Sequence, residues 1–274
     1  IRQHFNDIEF DYHNTGGYEL LTNDDPIEKL SYVNGLLYNI TNATETFVQK
    51  DGYIDEWGFA NVTHVLENRF EGALHPGKLL NALLHKVIAM DVQVMFGTEL
   101  KSFDESNDDI KLHISDKRTL SAQQLVFCTN AFTKSLLPEI AVVPARGQVL
   151  LTEPIPGLKL NGVFHYNEGF YYFRNLDGRI LLGGARNTSI ETEYTLDAFT
   201  TLAIQQALED FLSKIILPGQ QVAIQQRWAG IMAMGPDKSP VLKQLTERSF
   251  CSVRLSGMGV ALAPMMGKML ADMM

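Results

Sequence analysis

The run SFCSVRLSGMGVALAP, Ser249 to Pro264, constrains the fold most. An apolar stretch of strand length ends in a glycine-punctuated turn, and an apolar helix pattern follows. LVFCTNAF, from Leu125, repeats the layout: a buried strand, small and polar residues, then a helix start. Two strands that each turn into a helix call for an open α/β sheet. Ligands of such sheets sit outside the carboxyl ends of the strands. A helix N-terminus there adds unpaired N–H groups and a partial positive charge. Met258, Gly259, Val260 and Ala261, following Gly257, are therefore candidate backbone donors to a polar or anionic ligand. Cys128, Thr129 and Asn130 hold the equivalent place in the second run. Each stretch also suits an ordinary turn, with glycine at a positive φ or a Thr/Asn helix cap.

The rest of the chain falls into two interleaved parts. Ile8, Phe10 and Tyr12 alternate ahead of HNTGG and YELLT, the pattern of a β-hairpin. Asp25 suits a helix N-cap, with Pro26 at the first helical position. ALHPGKLLNALLHKVIAM reads as a strong helix, with strands VQVMF, ELKSF and KLHIS after it. The segment from Pro138 to Pro144 marks a boundary, beyond which β-rich runs follow, including a hairpin turning at NLDG. A long amphipathic helix is expected over 196–216, then a long strand, QVAIQQRWAGIMAM. The fold class is α/β (α+β). A nucleotide-binding type of domain, 61–144 and 236–274, is interleaved with a mixed-sheet substrate domain, 1–60 and 145–235.

Three further stretches hold residues suited to a site. In VPARGQVLLTEP, Arg146, Gly147 and Gln148 interrupt a β run; the arginine suits a phosphate or carboxylate, or the glycine a surface bulge. In GFYYFRNLDGRILLGGAR, alternation puts Tyr171 and Phe173 on one side and Tyr172 and Arg174 on the other. A tyrosine there can wall a substrate and bond it, or simply pack across strands. In RWAGIMAMGPDKSP, Gly230 permits close backbone approach to a flat ligand, or makes a bulge.

Composition excludes several classes. The chain has 274 residues, 45% hydrophobic, with a net charge of −9, so the basic footprint of a nucleic-acid binder is missing. No apolar run reaches membrane-spanning length, and no signal peptide is visible. The histidines and the two cysteines, Cys128 and Cys251, show no metal-ligand spacing. Both cysteines lie in apolar runs and read as core thiols.

Taken in order, these stretches resemble the FAD-dependent amino-acid and amine oxidases of the D-amino-acid-oxidase type, glycine and sarcosine oxidases included. The resemblance rests on EGALHPGKLLNALL, LVFCTNAF, PARGQVLLTEP, NLDGRILLGGAR, WAGIMAMGPDKSP and RLSGMGVALAPMMGKMLADMM, from about Glu71 onward. It implies FAD as cofactor and a small amine or amino acid as substrate, oxidised at its C–N bond to an imine by hydride transfer. It also implies a cytoplasmic oxidoreductase without a catalytic triad. Alternatives are a flavin dehydrogenase of another small polar substrate, or a non-redox nucleotide- or folate-binding relative. The family likeness places Leu100 by the adenine. It places Cys128, Thr129, Asn130, Arg146, Gly147, Gln148, Gly230, Ile231 and Gly257 to Ala261 around the flavin. Tyr171 would wall the substrate pocket.

Two departures stand out. No G-x-G-x-x-G occurs anywhere, and the chain opens on Ile1, so it reads as the C-terminal portion of a longer flavoprotein. Second, the family's usual arginine after the glycine of W-x-G is missing; Met232 stands in or beside that place and joins Tyr171, Arg174 and Arg186 as a candidate substrate contact. A carboxylate clamp then falls to Arg174 or Arg186, or the substrate lacks an α-carboxylate.

Overall fold

The computed structural model describes residues 5, 7–115 and 117–274. His4, the start of the 1–60 segment and Asp116 lie outside the described residues. The elements in chain order are β1 (Gly17–Leu21), α1 (Asp25–Glu28), α2 (Leu30–Thr41), β2 (Phe47–Gln49), α3 (Gly52–Trp57), β3 (His64–Asn68) and α4 (Pro76–Ala89). There follow β4 (Leu100–Glu105), β5 (Ile110–Ile114), β6 (Thr119–Ala122), β7 (Leu125–Phe127), β8 (Val143–Thr152), β9 (Val163–Tyr166), β10 (Tyr171–Leu176) and β11 (Arg179–Gly184). The chain closes with α5 (Leu202–Phe211), β12 (Ile224–Met234), β13 (Val241–Gln244), β14 (Ser249–Val253) and α6 (Gly259–Met273).

Eight strands form one mixed sheet, in the order β12-β8-β11-β10-β9-β1-β3-β2. The hairpin β10–β11 turns at Asp177-Gly178, both at positive φ, as a two-residue loop requires. One face carries the main core, where Leu150, Phe164, Ile180, Leu182, Leu208 and Ile216 are all buried. Phe164 and Phe173 stack there with ring centroids 4.7 Å apart. Each fully buried side chain of this size contributes about 1.5–3 kcal/mol.

Two smaller sheets complete the fold. In one, β14 runs parallel to β7 and antiparallel to β13; the other is the meander β4-β5-β6. The two strand-to-helix runs of the sequence thus lie side by side, as the open α/β reading requires. Among the described residues no helix is long and apolar enough to cross a membrane.

Several expectations are corrected. Residues 8–12 form no hairpin, because both edges of β1 are taken, by β3 and β9. The segment VQVMF forms no strand: no ladder reaches it among the described residues, and Val92 and Phe96 stay exposed. The N-cap of α1 is Asp24 rather than Asp25, and the predicted helix breaks at Lys29. The long helix begins at Leu202, not near 196, and ends in a π-helical turn over Leu212–Ile216. Residues just before it are tied to β8, where the Gln148 side-chain carbonyl accepts the Thr201 N–H at 2.8 Å. Finally, β3 belongs to the large sheet although it falls within 61–144, since its ladder partners are β1 and β2.

Candidate functional site

A cavity of about 800 Å³ lies against the large sheet. Strand periodicity decides which side chains reach it. On β8, Gly147 and Val149 line the cavity. Arg146 and Gln148 point the other way and are buried. On β12, Trp228, Met232 and Met234 line it; Gly230 shares that row, and a Cβ there would meet nothing within 4 Å. Ile231 lies on the opposite face and packs against the core around Phe127. On β10, Tyr172 and Arg174 reach the cavity. Arg186, just after β11, and Lys238, after β12, add cationic heads.

Close contacts knit these parts together. A methyl group added at Gly147 would stand 3.1 Å from Met232 Cε and 3.7 Å from Tyr172 Oη. One added at Gly257 would stand 3.5 Å from Met232 Sδ. The Tyr172 ring crosses Gly183, where an added Cβ would come within 2.5 Å of it. Burial raises the pKa of the Tyr172 hydroxyl, and the charge of Arg186 opposes that rise. The hydroxyl therefore stays protonated at neutral pH and can donate a hydrogen bond. Arg174 donates to the Leu74 carbonyl at 2.7 Å, and burial pushes its pKa down.

The turn after β14 closes the other side. Arg254, Ser256 and Gly257 all have positive φ, a conformation the two non-glycine residues hold only under constraint. The Arg254 guanidinium supplies that constraint, bonding the Ser239 and Ala141 carbonyls and Asp237. Ser256, Gly257 and Met258 then line the cavity. Among the described residues the N–H groups of Gly257, Gly259 and Val260 meet no acceptor, whereas Met258 and Ala261 donate to the Leu255 and Met258 carbonyls. The Ser256 hydroxyl and the Asn130 side-chain carbonyl are buried without a partner. Glycines that keep space open, free helix N-terminal donors and the orphaned Ser256 hydroxyl in the lining fit a flat ligand with a polar edge, such as the flavin of FAD.

The structure thus brings together Gly147, Arg174, Arg186, Met232, Gly257 and Met258. Other expected residues take different roles. Tyr171 does not line the cavity; it stacks on Phe211, centroids 4.4 Å apart, within the main core. Arg146 forms a buried bidentate pair with Glu193, at 2.8 and 2.7 Å. Gln148 bonds Glu193 and Thr201. With their polar groups occupied on the far side of β8, neither reaches a ligand in the cavity. Leu100 opens β4 opposite Ile114 and packs on the Phe127 core. Cys128 is exposed rather than a core thiol, because β7 ends at Phe127; Cys251 is buried, its pKa pushed up by burial to about 11. Thr129 bonds Thr133 at 2.9 Å in the turn after β7. Sequence reasoning passed over Tyr172, Trp228, His165 and Lys238. Tyr172 was legible, since it shares a face with Arg174.

The family model described as DAO, FAD dependent oxidoreductase, matches residues 1–273. A D-amino acid dehydrogenase of Rhizobium johnstonii is 28% identical over 171 residues, 60% of this chain and 39% of the relative. The chain therefore spans about two fifths of that relative's length. Hydrogen cyanide synthase subunit HcnC of Pseudomonas aeruginosa is 22% identical over 247 residues, covering 88% of this chain and 58% of its own. Among solved structures, L-proline dehydrogenase from P. horikoshii superposes with a TM-score of 0.82 at 20% identity, over 99% of this chain and 75% of its own. Glycine oxidase from Geobacillus kaustophilus gives 0.80 at 18% identity, over 99% and 73%. These structural likenesses concern the fold. With the match running over nearly the whole chain, the protein belongs to the FAD dependent oxidoreductase family, whose cofactor is FAD.

Proposed function

We propose that the protein containing this chain oxidises the C–N bond of a small amino acid. In this reading the large sheet is the substrate part and the β7–β14–α6 region belongs to the cofactor part. A bound FAD would supply the two-electron acceptor. The chain's own residues would orient the substrate, exclude water and hold its charge. The observation that carries the reading is the cluster of Tyr172, Arg174 and Arg186 in one cavity, across Gly147 and Met232 from the turn at Gly257.

Arg186 is suited to a substrate carboxylate, with Tyr172 as a neutral donor beside it. Val163, Phe170 and Trp228 form apolar walls that limit water, which strengthens each polar contact inside. The donors at Gly257, Gly259 and Val260, with the α6 dipole, would favour negative charge on a ligand at the turn. A substrate without a carboxylate, suggested by Met232 standing near the usual arginine, leaves these cations without a purpose. A relative named D-amino acid dehydrogenase also favours the amino-acid reading.

The test is anaerobic mixing of the full-length, FAD-loaded protein with a broad panel of amino acids and amines. Bleaching of the flavin absorbance by at least one amino acid is expected; no bleaching across the panel rejects the reading. With the best substrate, Arg186→Gln is expected to lose on the order of 10- to 100-fold in kcat/KM.

A further inference from the structure

The cavity holds more positive charge than one α-carboxylate needs. Its lining includes Arg174, Arg186 and Lys238, against a single carboxylate, Glu168. Among the described residues none of the three cations forms an ion pair. His165 adds no clear excess, because its ring lies 3.4 Å from Glu19, outside the lining.

Arg174 is the telling residue. It is half-buried, burial pushes its pKa down, and among the described residues its hydrogen-bond partner is the neutral Leu74 carbonyl. A guanidinium has five N–H donors in a planar fork, so most of this one's donors remain open. A half-buried cation whose hydrogen-bond partner is neutral, acted on by Asp177 but ion-paired with no carboxylate among the described residues, favours an anion as ligand. Tyr172 and Arg174 stand two residues apart on one face of β10, hence about 7 Å apart along the strand. Arg186 lies near Tyr172, close enough for its charge to act on that hydroxyl. The sheet therefore presents two places for an anion, one at Tyr172 and Arg186 and another at Arg174, with Lys238 exposed at the rim.

We propose that the cavity selects a substrate with two carboxylates, an amino or imino dicarboxylic acid of four or five carbons. The α-carboxylate would sit at Tyr172 and Arg186, and the second carboxylate at Arg174. This rests on the oxidation reading above for the reaction, but not for the binding.

The test separates the two. Unreactive succinate and glutarate, and the monocarboxylates propionate and butyrate, are titrated into the full-length, FAD-loaded protein, following the perturbation of the flavin spectrum. The dicarboxylates are expected to bind about 10-fold tighter or more. Arg174→Gln should close that gap while leaving monocarboxylate affinity nearly unchanged, and Arg174→Lys should keep part of it. Equal binding of mono- and dicarboxylates by the unaltered protein overturns the proposal, and that comparison needs no variant. Loss of both affinities together in a folded Arg174→Gln protein also overturns it. In turnover, aspartate and glutamate of either hand are compared with alanine and norvaline. Bleaching by neutral amino acids as readily as by the acidic ones rejects dicarboxylate selection and keeps the oxidation reading. Tight dicarboxylate binding with no bleaching by any amine or amino acid keeps this site and rejects the oxidation reading.

Discussion

The two sides of the cavity are built differently. The large sheet is closed on its core face, with Leu150, Phe164, Ile180 and Leu208 fully buried, and its polar interior is satisfied through Arg146, Glu193 and Gln148. The β7–β14–α6 side has short strands and exposed apolar side chains: Val260, Met265, Met269 and Met273 on α6, and Phe132 after β7. It also keeps two orphaned polar atoms, at Asn130 and Ser256, against one beside β1 of the large sheet, at Thr15. The substrate wall is thus held by its own packing, while the turn side carries groups that another molecule has to satisfy. Preorganisation belongs to the first and ligand dependence to the second.

The largest effect is expected at the buried Arg146–Glu193 pair. Burial pushes the Glu193 pKa up, but the bonds from Arg146 and Gln148 outweigh it, and the net shift is downward from 4.5. A carboxylate with a depressed folded pKa adds stability above its unfolded value and loses it as pH falls through the folded value. The pair's contribution is therefore full at neutral pH and fades below about pH 4.5. Removing one partner strands a buried charge, so Arg146→Met or Glu193→Leu should each cost about 3–5 kcal/mol in urea unfolding. The double replacement should recover most of that loss.

The contrast between the two sides can be tested by truncation. Leu150→Ala in the closed core should cost about 2–5 kcal/mol. Met265→Ala, on the exposed face of α6, should stay within about 0.5 kcal/mol. Equal costs would erase the distinction between a closed and an open side.

The smallest effect concerns His64, which bridges Asp51 and Asp24 at 2.8 Å each and ties β3 to the starts of α1 and α3. The hydrogen bond to Asp51, then that to Asp24, raises its pKa from 6.5. A raised folded pKa gives stability that is present below 6.5 and lost as pH rises through the folded value. His64→Gln should thus narrow the difference in melting temperature between pH 6 and pH 9, roughly the window spanned by such a shift. The change should be slight because Asp24 is mostly solvent-exposed.

Much of this was legible in the residues. SFCSV and LVF are strands that each run into a turn, as their apolar runs and the small residues after them foretold, while their parallel pairing came from the structure. The Asp177-Gly178 hairpin needed only the rule that both loop residues take positive φ. Alternation had already separated Tyr172 from Tyr171, and Arg174 from Phe173. Sequence does not say which face meets the core, and the structure turns Tyr171 to the core and Tyr172 to the cavity. VQVMF failed for a related reason. An apolar run has strand propensity, but a strand needs a neighbour to take its hydrogen bonds.

The sequence by itself determined the local units: the β10–β11 hairpin, helix α4 and the glycine turn leading into α6. It also determined the family, because an ordered set of such units is specific. Tertiary structure decided what faces what. Arg146 and Gly147 are adjacent in the chain, yet one is buried against Glu193 and the other lines the cavity. The reason is the period-two geometry of a strand, which gives neighbouring residues to opposite faces while packing alone settles which face is which.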